Sequence, residues 1–267
     1  MPLDPAQLAA QQQFDRQSAN YGSRHILADT TDVASLLAHL PPVLDRQPNR
    51  RALDIAAGAG HTGLFLAEQG WRVTLADLAP GMLEQCRQAA AARGLTVTLA
   101  LHAAEELPYP AASFELVTCR VAAHHFSEPQ RFLREVARVL VPGGYLALID
   151  GTVPDQQPTA EAWLHAIEKR RDPSHQRFLS PNTWRLLCGH AGLTVTYLEL
   201  HSKVQPDLEW YFSTANTTPE NRQAVRVLLE TAPPEVRQAF QITTAHDKIT
   251  WVWPIVHLLA EKPRSTA

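Results

Sequence analysis

Three closely spaced glycines are the sequence feature with the clearest chemical meaning. Gly58, Gly60 and Gly63 form the pattern G-x-G-x-x-G, after a short apolar run and before a segment that suits a helix. Glycines leave the backbone open to a ligand, and the first turn of a helix offers free N–H groups. The pattern predicts a binding turn for a nucleotide-containing cofactor, and it fits a dinucleotide as well as other nucleosides.

Two acidic residues near this turn narrow the choice of cofactor. Asp54 lies four residues before Gly58, where a carboxylate can accept hydrogen bonds from a cationic amino-acid group but would repel a pyrophosphate. Asp77 ends the second predicted strand, 17 residues after Gly60, in a position to accept hydrogen bonds from ribose hydroxyls. Because both kinds of cofactor contain ribose, Asp77 indicates a nucleoside without identifying it.

Polar side chains that could act on a substrate follow the fourth predicted strand. His124 and His125 lie at its end, and imidazole is suited to accept a proton near neutral pH. Arg120 precedes them and could pair with an anionic acceptor or with Glu115. The alternative is that the histidines pack against Phe126 and cap the following turn.

The elements that must position these residues alternate between strand and helix. Predicted strands cover 52–56, 72–77, 96–101, 114–119 and 145–150, and the helices between them cover 62–69, 80–93 and 131–140. This alternation predicts a doubly wound parallel sheet, in which ligands bind beyond the carboxyl ends of the strands. The glycine turn, Asp77 and the two histidines all fall at that end.

The chain is interpreted as one domain in four parts. These are N-terminal lid helices over 1–45, a cofactor-binding core over 50–150, a largely helical cap over 151–248 with a strand over 194–200, and a last edge strand over 249–262. Aromatic residues at 210–212, 251 and 253 are expected to form the core of the cap or, alternatively, to line an aromatic binding site. Pro254 interrupts the last strand, which favours an edge position or a bulge because proline cannot donate to a sheet.

Composition excludes several classes of protein. The 267 residues carry 24 Lys and Arg against 27 Asp and Glu, a net charge of −3, so no basic surface for nucleic acid is expected. No apolar run approaches the roughly 20 residues of a membrane helix, and the N-terminus does not resemble a signal peptide. Cys86, Cys119 and Cys188 form no CxxC pair, which predicts buried thiols in a cytoplasmic protein. The scattered histidines show no metal-ligand spacing.

A further set of motifs makes the sequence similar to a known family. Residues 102–109 carry a Leu-Pro-aromatic turn and 113–117 read Ser-Phe-Glu-Leu-Val, neither of which belongs to a dinucleotide fingerprint. With the glycine turn, they resemble the class I S-adenosylmethionine-dependent methyltransferases, and most closely the quinone-biosynthesis-like, YcgJ-type group that acts on small molecules. The core resemblance covers 51–150, and fainter resemblances cover 14–21, 118–126 and 171–175.

The resemblance implies a fold and a reaction. The fold is a Rossmann-like, doubly wound, mostly parallel seven-stranded sheet with an antiparallel edge strand, an N-terminal helical lid and a helical cap insertion. The reaction is direct transfer of a methyl group from S-adenosylmethionine to a small-molecule acceptor, with aromatic or phenolic compounds as candidates. Such a displacement needs alignment and exclusion of water, and a base only where the acceptor loses a proton.

The resemblance also implies which residues hold the cofactor. It assigns the methionine end to Asp54 and the backbone of Ala56, Gly58 and Gly60, and the ribose to Asp77. The remaining cofactor positions, around adenine and in the lid, are Leu78, Met82, Ala104, Glu105 and Tyr21. Many relatives carry an acid at the position of Ala103, so Glu105 or a main-chain carbonyl is expected to replace it at the adenine amino group.

The resemblance finally implies an acceptor pocket after the fifth strand. Arg171, Asp172 and His175 are expected to line it, with the two histidines and Arg120 as catalytic candidates. The alternative for Asp172 is a turn followed by a cap. Two other functions stay open, an NAD-dependent oxidoreductase and a module that binds S-adenosylmethionine without turnover. The expected state is a cytoplasmic monomer or homodimer with no nucleic-acid or membrane partner.

Overall fold

A mostly parallel β-sheet forms the centre of the protein. The computed structural model describes residues 3–21, 26–42, 50–205, 207–245 and 248–264. The strands are β1 (Arg51–Ile55), β2 (Arg72–Asp77), β3 (Thr98–Leu101), β4 (Phe114–Arg120), β5 (Leu140–Gly151), β6 (Thr194–Gln205), β7 (Thr243–Ala245) and β8 (Lys248–Glu261). Seven of them lie in the order β3-β2-β1-β4-β5-β8-β6, and β7 pairs with β8.

The strand directions confirm the predicted fold class. The five strands from β3 to β5 are parallel, and β8 is antiparallel to both of its neighbours. The antiparallel part therefore lies at one edge of a doubly wound sheet. The strand predicted over 194–200 is longer than expected, because β6 continues alongside β8 as far as Gln205.

Helices cover the sheet and form the lid and the cap. They are α1 (Pro5–Gln17), α2 (Thr31–Leu37), α3 (His61–Glu68), α4 (Pro80–Ala92), α5 (Pro129–Val139), α6 (Pro158–Arg171), α7 (Pro181–His190), α8 (Leu208–Ser213), α9 (Pro219–Glu230) and α10 (Pro234–Ala239). Seven of these helices begin with proline, whose missing N–H would have no partner in the first turn of a helix. This position accounts for part of the high proline content.

The place of β8 in the sheet differs from the prediction. The sequence predicts an edge strand over 249–262, but β8 lies between β5 and β6, and the outer position belongs to β6. Pro254 is tolerated because β5 ends at Gly151, which pairs with Ile255. The carbonyl of Pro254 accepts the N–H of Thr152 at 2.9 Å, so its missing N–H points beyond the end of β5.

Three buried apolar clusters stabilise the structure. Two of them cover the faces of the sheet, and the third fills the cap around Trp163, Tyr211, Phe240 and Trp251. The aromatic residues at 210–212, 251 and 253 therefore belong to the core of the cap, the first of the two alternatives. The three cysteines are buried and free. No helix in the described residues is long and apolar enough to cross a membrane.

We expect Gly63→Ala to destabilise the protein, because α3 packs directly on β2. A Cβ atom at Gly63 would lie 2.1 Å from Cδ2 of Leu75 and 3.1 Å from Cγ1 of Val73. Overpacking of this kind lowers the free energy of unfolding by about 1–3 kcal/mol. Urea denaturation measures the change.

The matched control is Gly189→Ala in α7, where an added Cβ atom meets nothing within 4 Å. It should raise the free energy of unfolding by about 0.5–1 kcal/mol, because alanine loses less backbone entropy than glycine. Equal stability of Gly63→Ala and the wild type would contradict the close packing of α3 on β2.

Candidate active site

A cleft of about 920 Å³, including its open mouth, lies at the carboxyl ends of β1, β2 and β4. The turn after β1 and the start of α4 form one wall, and the residues that follow β4 form the other. Helix α1 covers the cleft with Gln7, Ala10, Gln11 and Phe14. This is the end of the sheet at which a doubly wound fold binds its ligands.

The glycine turn lies between β1 and α3, as the sequence predicts. Gly58 and Gly60 have positive φ angles of 55° and 81°. A Cβ atom at Gly60 would lie 3.0 Å from Sγ of Cys86, so both backbone conformation and space favour glycine there. Ala56, on the cleft wall, also has a positive φ of 52°. The turn therefore presents main-chain atoms to the cleft.

Asp54 lies beneath this turn rather than on the cleft wall. Its Oδ2 accepts the N–H of Gly63 at 3.0 Å, and its Oδ1 accepts the hydroxyl of Thr118 at 2.6 Å. Burial raises the pKa of Asp54 to about 6, although both hydrogen bonds oppose this shift. The structure corrects the expectation of a direct contact with the methionine end, because Asp54 is 1% exposed and is not among the residues that line the cleft.

Asp77 lines the cleft at the end of β2, as predicted. Its carboxylate oxygens accept the N–H groups of Gly58 at 2.8 Å and Ala79 at 2.9 Å. Each oxygen keeps a second lone pair that can accept a hydrogen bond from a ligand hydroxyl. Burial raises the pKa of Asp77 to about 6, so the carboxylate is charged at neutral pH.

Glu105 lies on the side of the cleft next to Asp77, where apolar residues and the polar side chain of His102 also line the wall. Its carboxylate oxygens accept hydrogen bonds from Nε2 of Gln7 at 3.0 Å and from the N–H of Ser127 at 3.0 Å. Glu105 therefore joins α1 to the segment that follows the two histidines. The other residues predicted on this side all line the cleft, namely Leu78, Met82 and Ala104.

Helix α1, within the lid predicted over 1–45, covers the cleft, but the sequence did not single out the side chains that do so. Nε2 of Gln11 donates to the carbonyl of Leu78 at 2.9 Å, which fixes the helix over the predicted adenine side. A signal for this helix was present, because Asp4 and Gln7 form a capping box around Pro5. Tyr21 ends a short 3₁₀-helix, Ser18–Tyr21, and its side chain lies outside the described residues.

Arg120 lines the cleft at the end of β4 and holds the lid. Its Nε donates to Asp32 at 3.0 Å, and its Nη atoms donate to the carbonyls of Leu27 at 2.7 Å and Asp29 at 2.6 Å. Glu115, the other partner considered, pairs instead with Arg51 at 2.8 Å. Asp32 balances the charge of Arg120, and the three contacts attach the lid to the end of β4.

The two histidines lie on a short 3₁₀-helix, Ala123–His125, and have different partners. Nδ1 of His124 lies 2.6 Å from Oδ1 of Asp150. His125 lines the cleft, where its ring meets that of Phe14 edge-on at 4.9 Å, and its Nδ1 lies 3.1 Å from Oγ of Ser174. The imidazole of His125 is therefore the one that faces the cleft.

The two imidazoles have opposite protonation tendencies. Burial lowers the pKa of His124, but the carboxylate of Asp150 more than offsets burial, so the pKa is raised. At His125, burial and the neighbouring His124 both lower the pKa. The ring of His125 is therefore neutral near pH 7, and a neutral imidazole can accept a proton.

The segment 171–175 lies behind His125 and not on the cleft wall. The guanidinium of Arg171 stacks over the rings of Tyr211 at 4.7 Å and Trp253 at 5.0 Å in the cap. Oδ1 of Asp172 accepts the hydroxyl of Ser174 at 2.6 Å. His175 is 1% exposed, and neither ring nitrogen has a hydrogen-bond partner in the described part of the chain.

This placement corrects the expectation that 171–175 lines the acceptor pocket, because the segment packs into the cap behind the 3₁₀-helix. The turn was the alternative interpretation for Asp172, and it is the one that the structure shows. Across the described ranges, no three His, Cys, Asp or Glu side chains are placed to hold a metal ion.

Comparisons with known proteins assign the chain to a family. A model described as a methyltransferase domain matches residues 53–148. The chain is 34% identical over 167 residues to the uncharacterized protein YafE of Escherichia coli, which covers 62% of this chain and 80% of that protein. The chain belongs to the class I S-adenosylmethionine-dependent methyltransferases.

This methyltransferase is also similar to a relative that is named after its substrate and to a protein of known structure. The demethylmenaquinone methyltransferase of Deinococcus radiodurans is 38% identical over 167 residues, which cover 62% of each chain. The crystal structure of YcgJ from Bacillus subtilis is similar with a TM-score of 0.80 at 28% identity, covering 87% of this chain and 100% of that one. Family membership favours S-adenosylmethionine over NAD as the ligand of the glycine turn.

The cleft of the methyltransferase fits this cofactor. The turn after β1 lines the cleft from Ala56 to Ala59, and the carboxylate of Asp77 suits hydroxyl groups rather than a pyrophosphate. When bound, S-adenosylmethionine supplies a methyl group that is activated by a positively charged sulfur.

Replacing Thr118 by valine should destabilise the methyltransferase, because it removes one of the two described hydrogen bonds to the buried carboxylate of Asp54. A buried charged group that loses a partner costs about 1–3 kcal/mol of unfolding free energy. Chemical denaturation at pH 7.5 measures the loss. Thr98→Val, at an exposed position of β3, is the control and should change stability by less than about 0.5 kcal/mol. Equal effects of the two substitutions would sink the assigned role of Asp54.

Proposed function

We propose that this methyltransferase acts on a small, uncharged acceptor that binds beside His125. The observation that carries the proposal is a neutral imidazole on an otherwise largely apolar part of the cleft. The ring of His125 meets Phe14, and Ala122 and Phe126 line the same wall. An acceptor bound there would be shielded from water by α1 and the lid.

Each part of S-adenosylmethionine can be assigned to residues of the cleft. We assign the ribose hydroxyls to Asp77, because its oxygens keep free lone pairs and face the cleft. The methionine end is assigned to the backbone between Ala56 and Gly60, and the adenine ring to the apolar surface of Leu78 and Met82. Asp54 then supports the turn without touching the ligand.

The charges of the cleft support an uncharged acceptor. Arg120 is paired with Asp32 and donates to two carbonyls, so it offers little attraction to an anion. Burial keeps His125 neutral. Aromatic and phenolic compounds suit the rings of Phe14 and Phe126, and a relative is named as a methyltransferase of demethylmenaquinone.

The proposed step is a direct displacement. The acceptor atom forms its bond to the methyl carbon while the carbon–sulfur bond breaks and leaves its electron pair on sulfur. The proton of the acceptor passes to Nε2 of His125, the ring nitrogen not bonded to Ser174. The chain contributes alignment, exclusion of water and this proton acceptor.

Replacing Asp77 by alanine should weaken the binding of S-adenosylhomocysteine about 5- to 150-fold, because a charged acceptor of ribose hydrogen bonds contributes about 1–3 kcal/mol. Isothermal titration calorimetry at pH 7.5 measures the affinity. Glu220→Ala, at an exposed position at the start of α9, is the matched control and should bind as the wild type does. Wild-type affinity of a folded Asp77→Ala protein would refute the ribose assignment.

A pH series adds a second readout to the same experiment. Since the pKa of Asp77 is raised to about 6, lowering the pH through 6 protonates the carboxylate and removes its charge. Affinity of the wild type should fall over this interval, and the fall should be smaller in Asp77→Ala.

Methyl transfer to a panel of acceptors tests the proposed function. The panel contains neutral phenols, catechols and naphthoquinols, and carboxylate- or phosphate-bearing compounds of similar size. We expect transfer to neutral aromatic members, and transfer to the anionic members alone would contradict the proposal. On the acceptor that is found, His125→Ala should lower kcat about 10²- to 10⁴-fold with little change in cofactor affinity.

The control for His125→Ala is His190→Ala, at the exposed end of α7, which should leave turnover unchanged. If His125→Ala keeps full turnover, the imidazole is not the base. A cytoplasmic location, the absence of a nucleic-acid partner and a monomeric or homodimeric state stay predictions from the sequence.

A further inference from the structure

A chain of buried polar groups runs from the cleft into the turn behind it. Nδ1 of His125 lies 3.1 Å from Oγ of Ser174, which lies 2.6 Å from Oδ1 of Asp172. The N–H of Ser174 also donates to this Oδ1, at 2.9 Å. Exposure of the three residues is 9%, 1% and 7%, so water does not compete strongly for these hydrogen bonds.

The backbone clamps this turn to the 3₁₀-helix of the histidines. The N–H groups of Gln176 and Arg177 both donate to the carbonyl of His124, at 2.8 and 3.0 Å. The N–H of His175 donates to the carbonyl of Asp172 at 3.0 Å. Ser174 is therefore held in a fixed position next to His125.

The hydrogen bonds define where the protons lie. An ionised carboxylate only accepts, and Oδ1 of Asp172 lies within hydrogen-bond distance of both the N–H and the hydroxyl of Ser174. The single hydroxyl proton of Ser174 therefore goes to Asp172. The oxygen of Ser174 can then only accept from His125, which places the imidazole proton on Nδ1.

We propose that Ser174 and Asp172 are positioning residues that hold His125 in the tautomer protonated at Nδ1, so that Nε2 is the free nitrogen on the side of the cleft. The inference rests on the proposed function, in which Nε2 accepts the proton of the acceptor. Neither residue touches the ligand. Asp172, expected from the sequence to bind the acceptor, acts instead through Ser174.

The charges around His125 show why this carboxylate matters. Burial, His124 and Arg171 all disfavour a positive charge on His125, whereas the negative charge of Asp172 and the hydrogen bond with Ser174 favour it. When a proton arrives at Nε2, the positive charge is stabilised through Ser174 by the negative charge of Asp172. His124 is already matched by Asp150 and is not the partner of this carboxylate.

Nitrogen-15 NMR of the full-length protein, labelled at histidine, tests the positioning role without any acceptor. Ring-nitrogen shifts distinguish a protonated from an unprotonated nitrogen, and His125→Gln identifies the signals of His125. We expect the wild type to carry the proton on Nδ1 and Ser174→Ala to lose this preference. Ser213→Ala, an exposed serine-to-alanine change in α8, should leave the tautomer unchanged.

Kinetics and a second variant complete the test. Ser174→Ala should lower kcat about 10- to 100-fold at an unchanged KM for S-adenosylmethionine, because a misoriented base loses alignment. Asp172→Asn is isosteric and keeps an oxygen for the hydroxyl of Ser174, so it should retain the tautomer while lowering kcat through the lost charge.

Two outcomes would overturn the inference. One is a wild-type ring protonated on Nε2, and the other is a Nδ1-protonated ring that persists unchanged in Ser174→Ala. Both outcomes concern the tautomer of His125. Whether His125 accepts the proton of the acceptor is tested separately, by the turnover of His125→Ala.

Discussion

The buried carboxylate of Asp54 is the contact on which the geometry of the cleft depends. Asp54 lies on β1. Its carboxylate accepts hydrogen bonds from the N–H of Gly63, in the first turn of α3, and from the hydroxyl of Thr118 on β4. The glycine turn and the end of β4 are thereby held at a fixed separation. Because the histidines follow β4, this contact and the pairing of β1 with β4 together link the cofactor wall to the wall that carries His125.

The second wall of the cleft is built from long-range contacts. Arg120 attaches the lid through Asp32, and Glu105 attaches α1 through Gln7. The 3₁₀-helix of the histidines is fixed from behind by the carbonyl of His124, which accepts two N–H groups of the turn after Ser174. The strands and turns of the cofactor side are thus organised mainly within 50–105 and are covered by α1, whereas the acceptor side joins the lid, β4 and the cap.

The difference in organisation explains what the sequence could predict. The places of the glycine turn, of Asp77 at the end of β2 and of the parallel strands depend on local sequence patterns, such as glycine spacing and apolar runs, and the structure has them where the sequence predicts. Asp32, the partner of Arg120, is 88 residues away in the chain, and Ser174, the partner of His125, is 49 residues away. The spacing of residues along the sequence does not reveal contacts over such distances. Ser174 was overlooked for this reason, and Asp54 was assigned to the ligand because its spacing alone does not show what its oxygens accept.

The edge position predicted for β8 from Pro254 was also wrong. A proline removes one hydrogen-bond donor at one position of a strand, so it does not determine whether the whole strand lies at the edge of the sheet. Because β5 ends at Gly151, opposite Ile255, it does not need a donor from Pro254, and β8 can lie between β5 and β6.

The central place of β8 has a consequence for synthesis on the ribosome. Chains fold from the N-terminus as they emerge, so β5 and β6 are complete before residues 248–261 are made. Until then, both strands present unpaired N–H and C=O groups, and the cap lacks Trp251 from its core. The nascent cofactor half can fold early, but its open strand edges are exposed to other chains until β8 inserts between them.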